Sequence, residues 1–318
     1  MSKLQGTVIK TTGSWHTVKT DSGNQIDCTV RGKFRIKGIR NTNPIAVGDR
    51  VGIEQNINEN TGIIVELETR KNYIIRKSTK LSKEAHIIAS NIDTVFLIAS
   101  LVEPETPLMF IDRVLVTAEA YRIPATILFN KTDLLNDDQK ELAEVYQYMY
   151  ESIGYPVLLI SAEKEINLDE LKNRMKNKTS VFVGQSGVGK STLINKLQPG
   201  LQLKVGDISE THMQGKHTTT FAEMHHLDFG ADIIDTPGIR SFGLVEVDKN
   251  EELSHFFPEI FKLSENCRFH NCTHTHEPGC AVKEAVENND IPFTRYENYL
   301  TIMEGDEGDK YRKDIYAN

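Results

Sequence analysis

The 318-residue chain has only four cysteines, and three of them fall within residues 267–280. So few thiols, so clustered, exclude a disulfide framework and point to a metal site in a reducing compartment. No apolar run approaches the roughly 20 residues that a bilayer requires, and the longest, VFLIA at 95–99, is strand-sized. The opening MSKLQGTVIK lacks the apolar core of a secretory signal. There is no internal repeat or low-complexity tract. With 39% apolar and 26% charged residues, neither a disordered nor a fibrous class fits. The expectation is a cytoplasmic, monomeric protein without a membrane partner, long enough for two or three domains.

The net charge of −8 is unevenly spread. Residues 1–68 carry nine Lys/Arg against seven Asp/Glu, whereas residues 246–318 carry eight against 16. Within the first segment Arg31, Lys33, Arg35, Lys37 and Arg40 form a basic run around Phe34 with no acid between them. A second cluster comprises Arg70, Lys71, Arg76, Lys77, Lys80 and Lys83. Such runs can contact phosphate backbones, or they can simply be solvated surface. Phe34 can stack on a base if it faces outward. Trp15 is expected in the core, and the lone strand cysteine Cys28 is expected to be buried and unreactive.

Three segments follow from the patterning. Residues 1–68 alternate apolar and polar positions in five short runs (GTVIK, WHTVKT, QIDCTV, RVGIEQ, GIIVEL) between turn signals. They fit a small barrel of the oligonucleotide-binding (OB) type, and an SH3-like barrel would give the same pattern. Through residues 69–245 near-continuous apolar runs come to alternate with amphipathic helical stretches, the signature of an α/β unit with a parallel sheet covered on both faces. Residues 246–318 are acidic and helical around the Cys/His cluster.

Gly184-Gln185-Ser186-Gly187-Val188-Gly189-Lys190-Ser191 matches G-x-x-x-x-G-K-[ST] and sits between the strand SVFV and the helix-forming STLINKL, which begins Ser191-Thr192. Its glycines let successive backbone N–H groups point at the α- and β-phosphates. Lys190 would bridge the β- and γ-phosphates, and Ser191 would ligate Mg²⁺. Asp235-Thr236-Pro237-Gly238 follows another strand, where Asp235 can hold Mg²⁺ through water and Gly238 N–H can sense the γ-phosphate. Asn130-Lys131-Thr132-Asp133 follows the strand ATILF. The Asp133 carboxylate can accept both guanine N1–H and the exocyclic amine, a donor pair that adenine lacks. Asn130 would reach the other base edge, the Lys131 stem can cover the ring, and Ser161-Ala162 fits the loop that meets guanine O6.

Cys267, Cys272 and Cys280 with one nearby histidine make a four-ligand set suited to a closed, structural zinc site. His270, His274 and His276 all lie in reach by spacing.

With these elements assembled, the chain resembles the circularly permuted, small-ribosomal-subunit-dependent GTPases of the RsgA (YjeQ/YloQ) family. The guanine-reading NKTD and SA precede the phosphate loop, and DTPG comes last. Gly184–Thr192, the segment GKHTTT (215–220) and Cys267–Cys280 carry the likeness. The resemblance implies three parts: an OB-type RNA-binding barrel (1–68), a circularly permuted GTPase with a Ras-like α/β sheet (69–245) and a zinc-binding helical domain (246–318). It selects His274 as the fourth zinc ligand. It also implies a factor that hydrolyses GTP with Mg²⁺ on the small (30S) subunit and its 16S rRNA, late in assembly, with turnover stimulated by the subunit.

Ile239 stands where Ras-like sites have the water-orienting Gln. GKHTTT occupies the switch I position, so Thr218 or Thr219 is expected on Mg²⁺, and His217 beside them is the candidate catalytic group, a role its family counterpart suggests. Residues 246–318 follow the γ-phosphate sensor directly, so GTP and GDP are expected to place them differently. The competing reading is an RNA-binding module that uses GTP as an affinity switch with little turnover.

Overall fold

The computed structural model describes residues 2–31, 44–56, 60–77, 85–201, 222–235 and 253–305. Alternation in the first segment becomes strands β1 (Ser2–Thr12), β2 (Trp15–Thr20), β3 (Gln25–Val30), β4 (Arg50–Asn56) and β5 (Thr61–Leu67). β1 pairs antiparallel with both β2 and β4, and parallel pairing of β3 with β5 closes the ring. This five-stranded closure is the OB arrangement. Val8, Val18, Ile26, Ile53 and Ile64 fill it, beside Cys28, whose thiol burial pushes up to about 12 and keeps protonated. Trp15 departs from expectation: it is 48% exposed, because the two-residue period turns His16 and Val18 inward and Trp15 out.

A hairpin of β6 (Tyr73–Lys77) and β7 (Ala85–Ser90) then leads into the α/β unit. The lysines between its strands make this stretch read as a basic run in the sequence. Strands β8 (Thr94–Ser100), β9 (Ala125–Asn130), β10 (Val157–Leu159) and β11 (Thr179–Gly184) alternate with helices α1 (Leu108–Ala120), α2 (Asp137–Ser152) and α3 (Leu168–Met175). After α4 (Lys190–Leu197) come β12 (Glu223–Leu227) and β13 (Ala231–Asp235). Strand order is β10-β9-β8-β11-β13-β12, parallel except for the antiparallel strand β12. Val95 and Leu97 of β8 enter one apolar cluster and Phe96 and Ile98 the other, so the strand is buried on both faces.

The two sheets are continuous. Lys10 of β1 pairs in register with Glu223 of β12, which in turn faces Asp235 of β13. The Lys10 ammonium also meets the Glu223 carboxylate at 3.0 Å.

Helices α5 (Pro258–Ser264), α6 (Ala281–Glu287) and α7 (Phe293–Glu304) form the C-terminal unit. Its core joins Leu253, Phe257, Ile260, Val282 and Tyr299 to Val116 of α1. Helix α1 is thus buried twice, by the sheet through Ile111, Val114 and Leu115 and by the C-terminal unit through Val116. Between them lies Arg295, fully buried, with Nη1 2.7 Å from Asp112 and Nε donating to Glu259 at 2.8 Å. Its guanidinium lies 4.6 Å over the Phe257 ring. Burial alone would drive the guanidinium toward neutrality; the Asp112 and Glu259 charges outweigh it and hold its pKa above the ordinary arginine value. Asp112 also accepts from Tyr150 at 3.0 Å and Asn298 at 2.6 Å.

Among the described residues no helix is long and apolar enough to cross a membrane.

Candidate nucleotide site and metal centre

The apolar strand β11 ends at Gly184, and the next residues turn into α4, which opens at Lys190. Gly187 (φ +83°) and Gly189 (φ +95°) adopt the left-handed conformation that the wrap requires. Gly189 is tightly constrained: a Cβ there would stand 2.3 Å from Asn130 Nδ2.

That close approach belongs to a junction that unites segments far apart in the chain. Asn130 Nδ2 donates to the Val188 carbonyl at 2.8 Å, and Asn130 Oδ1 accepts from Ala162 N–H at 2.9 Å. One buried amide therefore ties NKTD, the SA loop and the phosphate loop together. The Ser161 hydroxyl donates to the Asp133 carboxylate and itself accepts from Lys164 N–H at 3.0 Å. The Thr132 hydroxyl donates to the Ile160 carbonyl at 3.0 Å. Lys131, at φ +66°, donates to the Glu103 carbonyl, and Pro104 lies where a Gly187 Cβ would approach to 3.0 Å.

The loop after β8 is thus a further wall of the pocket. Sequence reasoning missed it because VEPET (102–106) carries no motif. Chemically, the site offers a carboxylate on the NKTD loop and backbone N–H groups at the N-terminus of α4, with the Lys131 ammonium held on the Glu103 carbonyl. Ser191 and Thr192 lie in the first turn of α4, and Asp235 ends β13.

His217, Thr218, Thr219 and Gly238 lie outside the described residues, as do Lys33, Phe34, Arg35, Lys37 and Arg40. Of the first basic run, Arg31 is described and pairs with Glu54 at 2.7 Å. Arg70, from the second cluster, is no surface cation: it is nearly buried and bonds both oxygens of Asp49. Lys71 pairs with Asp93.

In the C-terminal unit the structure brings together Cys267, Cys272, His274 and Cys280, their ligand atoms all within 4.8 Å of one another. His270 and His276 are not part of this group. Cys267 and Cys280 Sγ lie 3.6 and 3.5 Å from His274 Nδ1 and 3.9 Å from each other. A tetrahedron built from ordinary zinc–sulfur and zinc–nitrogen bonds has edges of about 3.8 Å between sulfurs and about 3.6 Å between sulfur and nitrogen. A disulfide would need sulfurs at about 2.05 Å. The donor set and spacing therefore fit zinc.

Burial pushes the Cys272 thiol up to about 12, so a cation entering the site displaces protons. The loop bearing His274 is fixed from outside. Tyr296 and Tyr299 hydroxyls donate to the carbonyls of His274 (2.6 Å) and Thr273 (2.9 Å). Glu277 accepts from Thr273 N–H and hydroxyl (2.8 and 2.6 Å) and from the N–H groups of Thr275 and His276. These donors, the Thr273 hydroxyl first, hold the Glu277 carboxyl well below the usual carboxylate range. An acid between two ligand positions was the available signal for this support, and the sequence reading did not use it.

The chain is similar in sequence to known proteins and in fold to solved structures. The sequence model of the RsgA N-terminal domain matches residues 5–64, and that of the RsgA GTPase matches residues 67–245. The protein named small ribosomal subunit biogenesis GTPase RsgA from Christiangramia forsetii is 53% identical over 317 residues, 98% of this chain and 99% of its own. Its namesake from Flavobacterium johnsoniae is 53% identical over 316 residues, 99% and 97% of the two chains. The crystal structure of YjeQ from Thermotoga maritima superposes with a TM-score of 0.77 at 34% identity, covering 94% of this chain and 96% of that one. YloQ, described as a circularly permuted GTPase, gives 0.76 at 32%, covering 95% and 94%. With family models that match residues 5–64 and 67–245 and with relatives 53% identical over nearly their whole length, this chain belongs to the RsgA GTPase family.

Proposed function

We propose that the chain is a GTP hydrolase that binds the small ribosomal subunit in the cytoplasm and acts late in the subunit's assembly, with turnover stimulated by the subunit. The carrying observation is the Asn130 amide, which bonds Val188 and Ala162 at once and makes the base reader and the phosphate cradle one pocket. The small-subunit assignment draws on the names of the relatives.

In this reading Asp133 accepts the guanine N1–H and amine while Ser161 steadies its carboxylate. Lys131 covers the ring, and Asn130 holds the loops that surround it. The N–H groups of 185–192 and Lys190 bind the phosphates. Ser191, Thr218 or Thr219, and Asp235 through water would hold Mg²⁺, which supplies charge neutralisation at the β- and γ-oxygens. Gly238 senses the γ-phosphate, and His217 is the group assigned to water activation. The barrel of 1–68 contacts 16S rRNA through the 31–40 run, 69–245 carries GTP, and 246–318 folds around one zinc ion held by Cys267, Cys272, His274 and Cys280.

The test is GTP turnover with purified small subunits, large subunits and neither; stimulation by small subunits alone is expected, and equal rates in all three would overturn the assignment. Asp133→Asn should move preference from GTP toward XTP, at a cost of about 2–4 kcal/mol in GTP recognition. Ile239, in the water-orienting position, supports the second reading, an affinity switch. Tight, GTP-dependent subunit binding with no stimulated turnover would favour it.

A further inference from the structure

Helix α2 carries an outward face that no part of the described structure covers. Leu142 (39%), Val145 (54%) and Tyr148 (77%) are exposed at three-residue spacing, which aligns them in one stripe. Helix α7 lies against the end of this helix, where the Thr294 hydroxyl is 3.6 Å from the Met149 sulfur, and Thr294's neighbour Phe293 is 64% exposed. Scattered surface apolars are ordinary, but three aligned on one helix face, with a fourth exposed on the helix packed beside it, mark a binding surface.

Its charge narrows the occupant. Each exposed apolar residue of α2 has an acid four positions earlier: Asp138 before Leu142, Glu141 before Val145, and Glu144 before Tyr148. Residues four apart are neighbours on a helix, so the acids border the stripe along its length. The one base of the helix, Lys140, is held by Asp137 at 2.9 Å. Phosphate backbones are repelled by such a surface. A helix or extended segment with lysines or arginines beside leucine-like residues matches it on both counts.

We propose that the α2 face, with Phe293 on the helix packed beside it, docks a lysine- or arginine-rich amphipathic segment of a small-subunit protein, a second foothold chemically opposite to the basic run of the barrel. Only the source of the segment rests on the small-subunit reading above.

A fluorescein-labelled amphipathic Lys/Leu peptide is titrated with the full chain and with V145S/Y148S, both substitutions lying on solvent. Binding to the parent, weakened about tenfold or more in the variant with GDP affinity unchanged, is expected. Equal binding by the two chains, or none by the parent, overturns the surface whatever the subunit does. The source is tested with a photo-crosslinking phenylalanine at position 148 and purified small subunits. An adduct with a basic subunit protein that survives ribonuclease is expected. An adduct with rRNA or with a second copy of the chain overturns the proposal. Failure of the parent chain to bind subunits at all sinks the functional reading, whereas subunit binding that V145S/Y148S retains in full sinks this one.

Discussion

Arg70 and Arg295 each tie a flanking unit to the α/β sheet, and they do so under different terms. Arg70 meets Asp49 of the barrel through two hydrogen bonds of 2.6 Å and donates to the Pro44 carbonyl at 2.7 Å. Asp49 is further satisfied by the Ser90 hydroxyl and the Ala46 N–H. Arg295 instead sits between two carboxylates. Its Nη1 contact with Asp112 lacks hydrogen-bond geometry, and Nη2 and Glu259 Oε2 have no hydrogen-bond partner among the described residues. The first junction is a shared, neutral and fully bonded latch. The second holds a cation in place by Coulomb attraction and aromatic faces, so it depends more on every member being present.

The largest effect should therefore come from Arg295→Ala, which leaves Asp112 and Glu259 buried without their cation. Chemical denaturation should lose about 3–5 kcal/mol, and a loss below 1 would erase the contrast. Replacing Arg295 by Met and Glu259 by Leu, with Asp112→Asn to keep an acceptor for Tyr150 and Asn298, should recover part of it. Arg70→Ala leaves Asp49 with its Ser90 and Ala46 bonds, and the same measurement should show about 2 kcal/mol.

The units also differ in what holds them internally. The barrel closes a complete hydrogen-bonded ring, whereas the C-terminal unit centres on the Cys/His cluster and its support. Glu277→Gln should release zinc to a chelator about tenfold faster, with barrel stability untouched. Unchanged release would assign the Glu277 bonds to loop shape alone.

The smallest effect concerns His16 in the barrel. Burial lowers its pKa below the ordinary 6.5, with Asp49 opposing. The folded state then binds fewer protons than the unfolded chain, so stability rises with pH up to about 6.5 and is lost as acid forces ionisation. His16→Gln should flatten the stability profile on the acid side of pH 6.5 by comparison with the parent.

Much of the pocket was legible because its motifs are local. The glycines of 184–189 sit beside an apolar strand, and NKTD follows another, so each could be read from a dozen residues. What joins them could not. Asn130 reads as a base contact, and its bond to Val188 spans 58 positions. The OB assignment likewise rested on β3 running parallel to β5, a pairing that alternation cannot encode. Nothing local marks Arg295 as buried, since its partner Asp112 lies 183 residues earlier. The β6–β7 hairpin was hidden by its own lysines, and Trp15 was misplaced because large aromatics favour cores even where the strand period points them out.

One rung of the ladder has a mechanical consequence. Lys10, Glu223 and Asp235 stand side by side across three strands, about 10 Å from first to last. Strand β12, which begins just after the segment bearing His217, is thus clamped between a barrel residue and the end of the strand that leads into DTPG. A tug on either neighbour travels through stiff backbone rather than a slack tether. Lys10 of the barrel therefore stands two strands from Asp235, joined to it through Glu223 by ladder pairing and by an ion pair.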